Sequence, residues 1–540
     1  MGVQRLDPRY SGRLEAFRLS RQQEHIGPVN TTPVTHDVIA SARTLPQFVR
    51  AIAATYGDDM AIRLHGDTIP DDSLTFADLD RRSAQLARGL IASGVGKGTR
   101  VGFIAGNGPL HALWLFAIAR AGGVAVPVST LLKGNELVRV IRQSDIAILL
   151  SQRNLLGHDY VDRLCEALPG LRDSQGELRL AAVPFLRKVF AGGDDLPRGV
   201  RPMEELDEAA ATVPPEILEE IEREIYPSDQ AIEIYTSGSM ALPKGVRHDH
   251  GPVLFRTHYL ARMTEPKRGE ERLAVLPMFW VGGLMISLMP SLAAGSITVC
   301  TEGTPTSSRH AMGSVLAPED LKIMESLRPF WALGMSETLG PYSYGDEFRV
   351  EGRPVCAPLD NIADGYEVRV ADEHGNPVAD GGTGEIQVRG YPLSRGLHKL
   401  ERSDYYTPDG FYHTGDMGLV EGTRIHFVGR GGDMIKSAGS NVSPAEVEME
   451  MQGIAGVHSA YVVGLPDAER GQLVVAAVVP RDGATLDFEA IRKQLRAQLS
   501  PFKVPREYIA ITREEVPMLP SNKVHRRAIE TMLAERLGRS

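Results

Sequence analysis

The run Ile234, Tyr235, Thr236, Ser237, Gly238, Ser239, Met240, Ala241, Leu242, Pro243, Lys244, Gly245, Val246 packs hydroxyls, glycines and one lysine behind an apolar stretch. Hydroxyls and backbone N–H groups that face one way cradle an anion, and a lysine adds a compact, mobile positive charge. A polyphosphate is the ligand such a loop suits. It is not a Walker-type loop, because no Gly-Lys-Ser/Thr opens a helix here. A solvated turn uses the same residue types, so the loop alone decides little. Other candidates lie downstream. They are Glu337 in Gly334-Met335-Ser336-Glu337-Thr338, Asp416 in Tyr412-His413-Thr414-Gly415-Asp416, Arg430 and Lys436 around a glycine-rich stretch, and Lys523 in Leu519-Pro520-Ser521-Asn522-Lys523-Val524. A lone carboxylate with nucleotide oxygens and water suits Mg²⁺, which keeps much of its hydration.

The elements that must position these residues follow from periodicity. Residues 76–93, 111–120 and 136–143 have helical spacing, and residues 100–105, 124–128 and 146–150 form short apolar runs between them. That alternation predicts βαβ units and a parallel sheet. Residues 366–370 and 385–389 alternate with period two around Gly, Asp and Pro turns, which predicts an antiparallel hairpin or small barrel. Gly429-Arg430-Gly431-Gly432-Asp433 has three glycines in five residues and reads as a domain boundary able to rotate. Beyond it, helices over 444–452 and 488–499 and strands over 458–463 and 473–479 predict a small α+β domain. Expected boundaries are a tail over 1–42, a large domain over 43–431 and a small mobile domain over 432–540. The fold class is α/β, with α/β layers plus a small barrel in the large domain.

Composition limits the function classes. A 540-residue chain with 42% hydrophobic residues can bury a core in more than one domain. Its 59 basic and 69 acidic residues give a formal charge of -10, ordinary for an enzyme and unlike a nucleic-acid binder. Cys165, Cys300 and Cys356 show neither zinc spacing nor a disulfide framework, so a cytoplasmic location is expected. Residues 1–19 lack the apolar centre of a secretory signal. The apolar stretch 112–128 carries Arg120 and a Gly-Gly pair, and reads as a buried helix and strand rather than an integral membrane segment.

The motifs, in this order, resemble the adenylate-forming superfamily of acyl- and aryl-CoA synthetases, adenylation domains and luciferases. The resemblance runs over roughly residues 45–535, with Leu74-Thr75-Phe76-Ala77-Asp78-Leu79 as upstream support. It implies an enzyme that joins a small carboxylic acid to AMP from ATP and then passes the acyl group to CoA. It implies that Thr236, Ser237, Gly238, Ser239, Lys244 and Ser336 meet phosphates and that Glu337 holds Mg²⁺. Asp416 and Arg430 meet ribose, and Leu333, Gly313 and Ser314 lie along adenine. By the same resemblance, Lys523 would be the catalytic lysine of the first step. Rotation about Gly432 then exchanges it for Lys436, with Gly439 beside the pantetheine. Trp280 and Gly282 border the acyl site.

The chain also departs from the pattern. Met240 and Ala241 replace the usual Thr and Gly, Leu333 replaces an aromatic residue, Asn522 replaces Gly, and Gly432 replaces Asp or Lys. Pro277 and Gly334 are closer in sequence than in relatives, by about an α/β/α unit that normally contributes acyl-pocket wall. Residues 500–506 look more like a CoA ligase than a peptide-synthetase adenylation domain. An acid–thiol ligase of the fatty-acid-metabolism type is therefore expected. Two alternatives stay open: an acyl-adenylate donor to an amine or carrier protein, and a nucleotide-binding relative with little catalysis. Homo-oligomerisation is also left open.

Overall fold

The computed structural model describes residues 37–236, 243–302, 331–345, 357–359, 361–372, 374–422, 424–430, 435–438, 440–442, 444–518 and 524–539. Its centre is an eight-stranded sheet in the order Gly396–Leu397, Lys244–Asp249, Gln230–Thr236, Val124–Pro127, Arg100–Ile104, Ile148–Ser151, Lys188–Ala191, Arg201–Pro202. The last six pair in parallel, and the first two are antiparallel to their neighbours. The expected βαβ alternation is therefore present. Val124–Pro127 and Ile148–Ser151 are buried at every residue. This explains their continuous apolar sequence, since helices cover both faces of a parallel sheet.

The helices form where the sequence indicated. Phe76–Ala92 starts on Thr75, whose side-chain oxygen accepts from the Asp78 amide at 3.0 Å. Pro109–Arg120 has Pro109 in its first turn and is buried over most of its circumference, as a helix that is apolar all round must be. Its one charge, Arg120, is 1% exposed. Arg120 bonds Glu222 Oε1 at 2.5 Å and Asp80 Oδ1 at 2.7 Å, with Ser83 Oγ at 3.0 Å. Residues 37–42, expected in the tail, differ from that expectation. Asp37–Ser41 is a short helix whose Ile39 is fully buried, so apolar burial brings this segment into the large core.

A second sheet pairs Met60–His65 with Asp72–Thr75 and, in parallel, with Ile297–Thr301. The antiparallel region is a five-stranded sheet in which Tyr366–Ala371 and Thr383–Gly390 align Val368 with Val388. The C-terminal unit is a sheet built on Val457–Asp467 and Gly471–Pro480. Pro444–Gln452 and Phe488–Gln498 cover one face, where Val474, Ala476 and Val478 point. Arg526–Arg536 covers the other, where Val475, Ala477 and Val479 point. Burial on both faces again accounts for an uninterrupted apolar strand.

Removal of the Arg120 side chain leaves Glu222 buried with only the half-exposed Arg50 as a partner. Arg120→Ala is expected to cost about 3 kcal/mol and lower the thermal midpoint by several degrees in a differential scanning experiment. An unchanged midpoint would show that the network is not stabilising the helix layer.

Candidate active site

The expected anion-binding loop lies between the arms of a hairpin that are fixed near its base. Thr236 lies opposite Lys244, and Tyr235 opposite Gly245, in the antiparallel pair Gln230–Thr236 with Lys244–Asp249. Beneath them Glu233 is fully buried. Its carboxylate accepts from Tyr235 Oη at 2.9 Å, Gln230 Nε2 at 3.0 Å and Arg100 Nε at 3.2 Å. Burial, with the Glu233 charge second, holds the Tyr235 hydroxyl far above its usual range, so it stays a donor. A Cβ on Gly245 would stand 2.7 Å from the Tyr235 ring and 2.8 Å from Glu233 Oε1, so only glycine lets the two arms close on this bond. His398 extends the network, with Nδ1 3.1 Å from Arg100 Nη2 and Nε2 3.1 Å from Asp145 Oδ2.

The acid side of the site faces this hairpin. The Lys244 ammonium lies 4.5 Å from the centre of the Tyr405 ring. The neighbouring Tyr406 ring packs edge-on against Tyr412, with centroids 5.1 Å apart. Tyr412 donates its hydroxyl to Glu337 Oε1 at 2.8 Å. Burial and the Glu337 charge hold that hydroxyl well above the usual tyrosine range. Glu337 itself is 8% exposed. Its backbone oxygen accepts from the Ser394 amide at 2.8 Å, and the preceding Ser336 carbonyl lies 2.8 Å from His248 Nε2. Tyr412 engages only one carboxylate oxygen, and a carboxylate has a second to offer a cation. Among the described residues no group of three or more acidic, His or Cys side chains could hold a metal by itself. A single acid completed by nucleotide oxygens and water fits Mg²⁺.

Asp416 is 4% exposed, in the strand Tyr412–Glu421, and pairs across the sheet with Arg430. The two expected ribose contacts therefore share one register position. Leu333 is partly buried and packs against the core of the antiparallel sheet, which includes Tyr342 and Val370. The side chain of Arg430 and all of Ser237, Gly238, Ser239, Gly313, Ser314, Gly432, Gly439 and Lys523 lie outside the described residues.

The apolar border is formed by Phe279 and Trp280, edge to face at 5.2 Å. Gly282 precedes a wide π-type turn, Gly283–Leu288, a form that recurs at functional sites. A Cβ on Gly282 would be 2.7 Å from the end of the Leu276 side chain, and one on Gly283 would be 2.2 Å from the Pro277 carbonyl oxygen, so it is Gly283 that close packing requires. Asn107, which the sequence reading missed, clamps this segment. Its Oδ1 accepts from the Met278 amide at 2.7 Å and its Nδ2 donates to the Leu276 carbonyl at 2.9 Å. The available signal was its position between two glycines just after the strand Arg100–Ile104.

A cleft brings Thr236, Pro243, Phe279 and Trp280 together with Phe502 and Lys503 of the C-terminal unit. Lys436 is exposed on the strand Ile435–Ser437, with its amide bonded to Gln472 Oε1 at 2.6 Å. A second hollow between the two parts is lined by Lys133, Arg496 and Arg506, a cluster of one sign. Sequence reading also missed this cluster, because its members are scattered along the chain.

The AMP-binding enzyme family matches residues 49–324, and the AMP-binding enzyme C-terminal domain matches residues 446–523. A feruloyl-CoA synthase from Amycolatopsis sp. is 29% identical over 503 residues, covering 85% of this chain and 93% of its own length. An indoleacetate–CoA ligase from Aromatoleum aromaticum is 26% identical, covering 86% and 94% respectively. The o-succinylbenzoate-CoA synthetase of Bacillus subtilis, solved with a product analogue, shares the fold. Its TM-score is 0.69 at 21% identity, over 89% of this chain and 98% of that one. With the first family model matched over half of the chain and the second over its C-terminal unit, the chain belongs to the AMP-binding, adenylate-forming enzymes.

Proposed function

We propose that this chain is an ATP-dependent acyl- or aryl-CoA ligase that works in two steps. In the first, a carboxylate oxygen of the acid bonds to the α-phosphorus of ATP. The bond from that phosphorus to the bridging oxygen breaks, and pyrophosphate leaves. In the second, the CoA sulfur bonds to the acyl carbonyl carbon, the acyl–oxygen bond to AMP breaks, and the thiol proton passes to solvent. No general base is needed in the first step, because a carboxylic acid is already ionised at neutral pH. The difficulty is repulsion between anions, so alignment and charge cancellation carry the rate.

The observation that carries this reading is the convergence of the hairpin base, the buried acids and the C-terminal unit. Thr236 and Lys244 flank the phosphate loop, Glu337 is held by Tyr412 nearby, and the cleft beside them is closed by the C-terminal unit. Lys244 and the loop hydroxyls hold the β- and γ-phosphates, and Asp416 accepts from the ribose hydroxyls. Glu337 would hold Mg²⁺, which when bound lowers the charge of the phosphates. Lys523 bridges the acid and the α-phosphate. Lys436 and the Gly439 loop serve the second step after rotation about Gly432. The Lys133, Arg496 and Arg506 hollow supports a polyanionic acceptor such as CoA over a neutral amine.

Pyrophosphate release with ATP and Mg²⁺ is the first test, over fatty, alicyclic and aromatic acids, each with and without CoA. Cinnamic and arylacetic acids lead the panel because the two relatives are named for ferulate and indoleacetate. Acid-dependent release that rises with CoA is expected. Release indifferent to CoA would assign the acyl group to another acceptor, and no release despite ATP binding would leave a nucleotide-binding relative.

Lys523→Ala is expected to abolish adenylate formation and spare thioester formation from supplied acyl-AMP, with Lys436→Ala giving the reverse. Rapid-quench assays of each half-reaction check this, and equal loss of both halves in either variant would refute the two-lysine exchange. Glu337→Gln is expected to move the Mg²⁺ dependence of pyrophosphate release about tenfold higher, as loss of one anionic ligand should. An unchanged Mg²⁺ curve would remove Glu337 from the metal site.

A further inference from the structure

The C-terminal unit is seated on the helix Gly134–Gln143 through a buried group of charges. Lys503 Nζ lies 2.6 Å from Glu136 Oε1 and 3.0 Å from Glu446 Oε1. Ser500 Oγ lies 3.0 Å from the other Glu136 oxygen and 3.1 Å from the Leu131 carbonyl. Glu136, Ser500, Lys503 and Glu446 are 2%, 1%, 5% and 7% exposed, so the group is buried at the inner wall of the cleft. A second ion pair, Arg139 with Glu450, lies along the same helix. The backbones also approach closely: a Cβ on Gly134, which has φ +43°, would stand 2.9 Å from the Ala497 carbonyl.

The charges are divided unequally between the two parts. Lys503 and Glu446 both belong to the C-terminal unit, within the segment matched as one domain, and stay together if that unit rotates. Glu136 alone comes from the large domain. It sits in the first turn of its helix, where backbone N–H groups stabilise a negative charge even without a partner. Neither partner is stranded when the contact opens, so this is a bond that can be made and broken. Burial raises the Glu136 carboxyl, with Lys503 opposing that shift. The two carboxylates outweigh burial and keep the Lys503 ammonium raised.

The docked face identifies the state. The face turned to the large domain carries Pro444–Gln452 and Phe488–Gln498. Val516 and Val524, which flank the Lys523 segment in sequence, pack on the opposite face with Arg526–Arg536. On the two-step reading proposed above, on which this inference rests, the first step needs Lys523 at the site. On that reading, with the described neighbours Val516 and Val524 packed on the opposite face, the orientation is assigned to the second step.

We propose that Glu136 is a positioning residue for thioester formation, a latch that Lys503 and Ser500 receive when the C-terminal unit swings into the second orientation. Glu136 touches no reacting atom; it acts by holding the unit. Glu136→Gln keeps the shape and removes the charge. Adenylate formation, followed as acid-dependent pyrophosphate release in the absence of CoA, should stay within about twofold of the unsubstituted enzyme. Thioester formation from supplied acyl-AMP and CoA should slow by about tenfold or more, as expected when one partner of a buried pair is lost. Glu136→Asp should recover part of the rate. Glu136→Gln combined with Lys503→Gln should be non-additive in the second half-reaction alone.

Hydrogen exchange of the amides over 131–138 reads the docking directly. Protection there should fall in Glu136→Gln while protection over 457–480 is kept. Equal slowing of both half-reactions, or of neither, overturns the proposal. Unchanged protection overturns it even if rates fall. A protein that forms no thioester with any acid overturns the two-step reading instead. In that case the exchange measurement still decides whether Glu136 holds the two parts together.

Discussion

Glu233 is the point on which the site geometry rests. A fully buried carboxylate is expensive unless its oxygens are matched by donors. Here Arg100, Gln230 and Tyr235 supply them from two strands, and His398 stands next to Arg100. The result is a fixed base for the hairpin, with Thr236 and Lys244 held opposite each other. A loop that must wrap phosphates gains most when its ends cannot drift, because ordering lost at the ends would be subtracted from binding. The hairpin also stands where the sheet changes from parallel to antiparallel.

The same logic of fixed supports extends across the cleft. Tyr412 orients Glu337, the Ser394 amide ties down its backbone, and Asn107 holds the Leu276–Met278 turn that carries the aromatic border. Each is a short, buried hydrogen bond to a group that meets substrate under the proposed function. Such supports set the geometry of first contacts, and small errors in that geometry are costly to rate. The Gly245 and Gly283 positions belong with them, since in both a side chain would fill space already taken by a neighbour.

Much of this was legible in the sequence, and the part that was not has a physical cause. Helix spacing over 76–93 and 136–143 is realised as Phe76–Ala92 and Gly134–Gln143. The period-two runs at 366–370 and 385–389 do pair with each other. Local patterns report which face is apolar, so they give elements. They do not report which distant element will cover that face. The parallel pairing of Met60–His65 with Ile297–Thr301 had no local signal, nor did the contact of Glu136 with Lys503. Asn107 was missed because one amide between glycines looks like any turn residue until the Leu276–Met278 segment is seen beside it.

A further consequence concerns where the charges are mounted. The buried acids Glu233, Glu337 and Asp416 belong to the rigid large domain. Glu233 accepts from a hydroxyl, and on the proposed function Asp416 meets a ribose and Glu337 a metal ion. They cannot themselves cancel the charge of an anionic acid meeting an anionic nucleotide. On the proposed function the cations for that task, Lys244, Lys436 and Lys523, lie on a hairpin arm and on the C-terminal unit. Charge cancellation is then complete only when those segments are seated. Coulomb energy over a few ångströms is large in a water-poor cleft and small in bulk water. An arrangement of this kind ties the chemistry to closure without any separate switch, because the step that brings the lysine also excludes the water that would screen it.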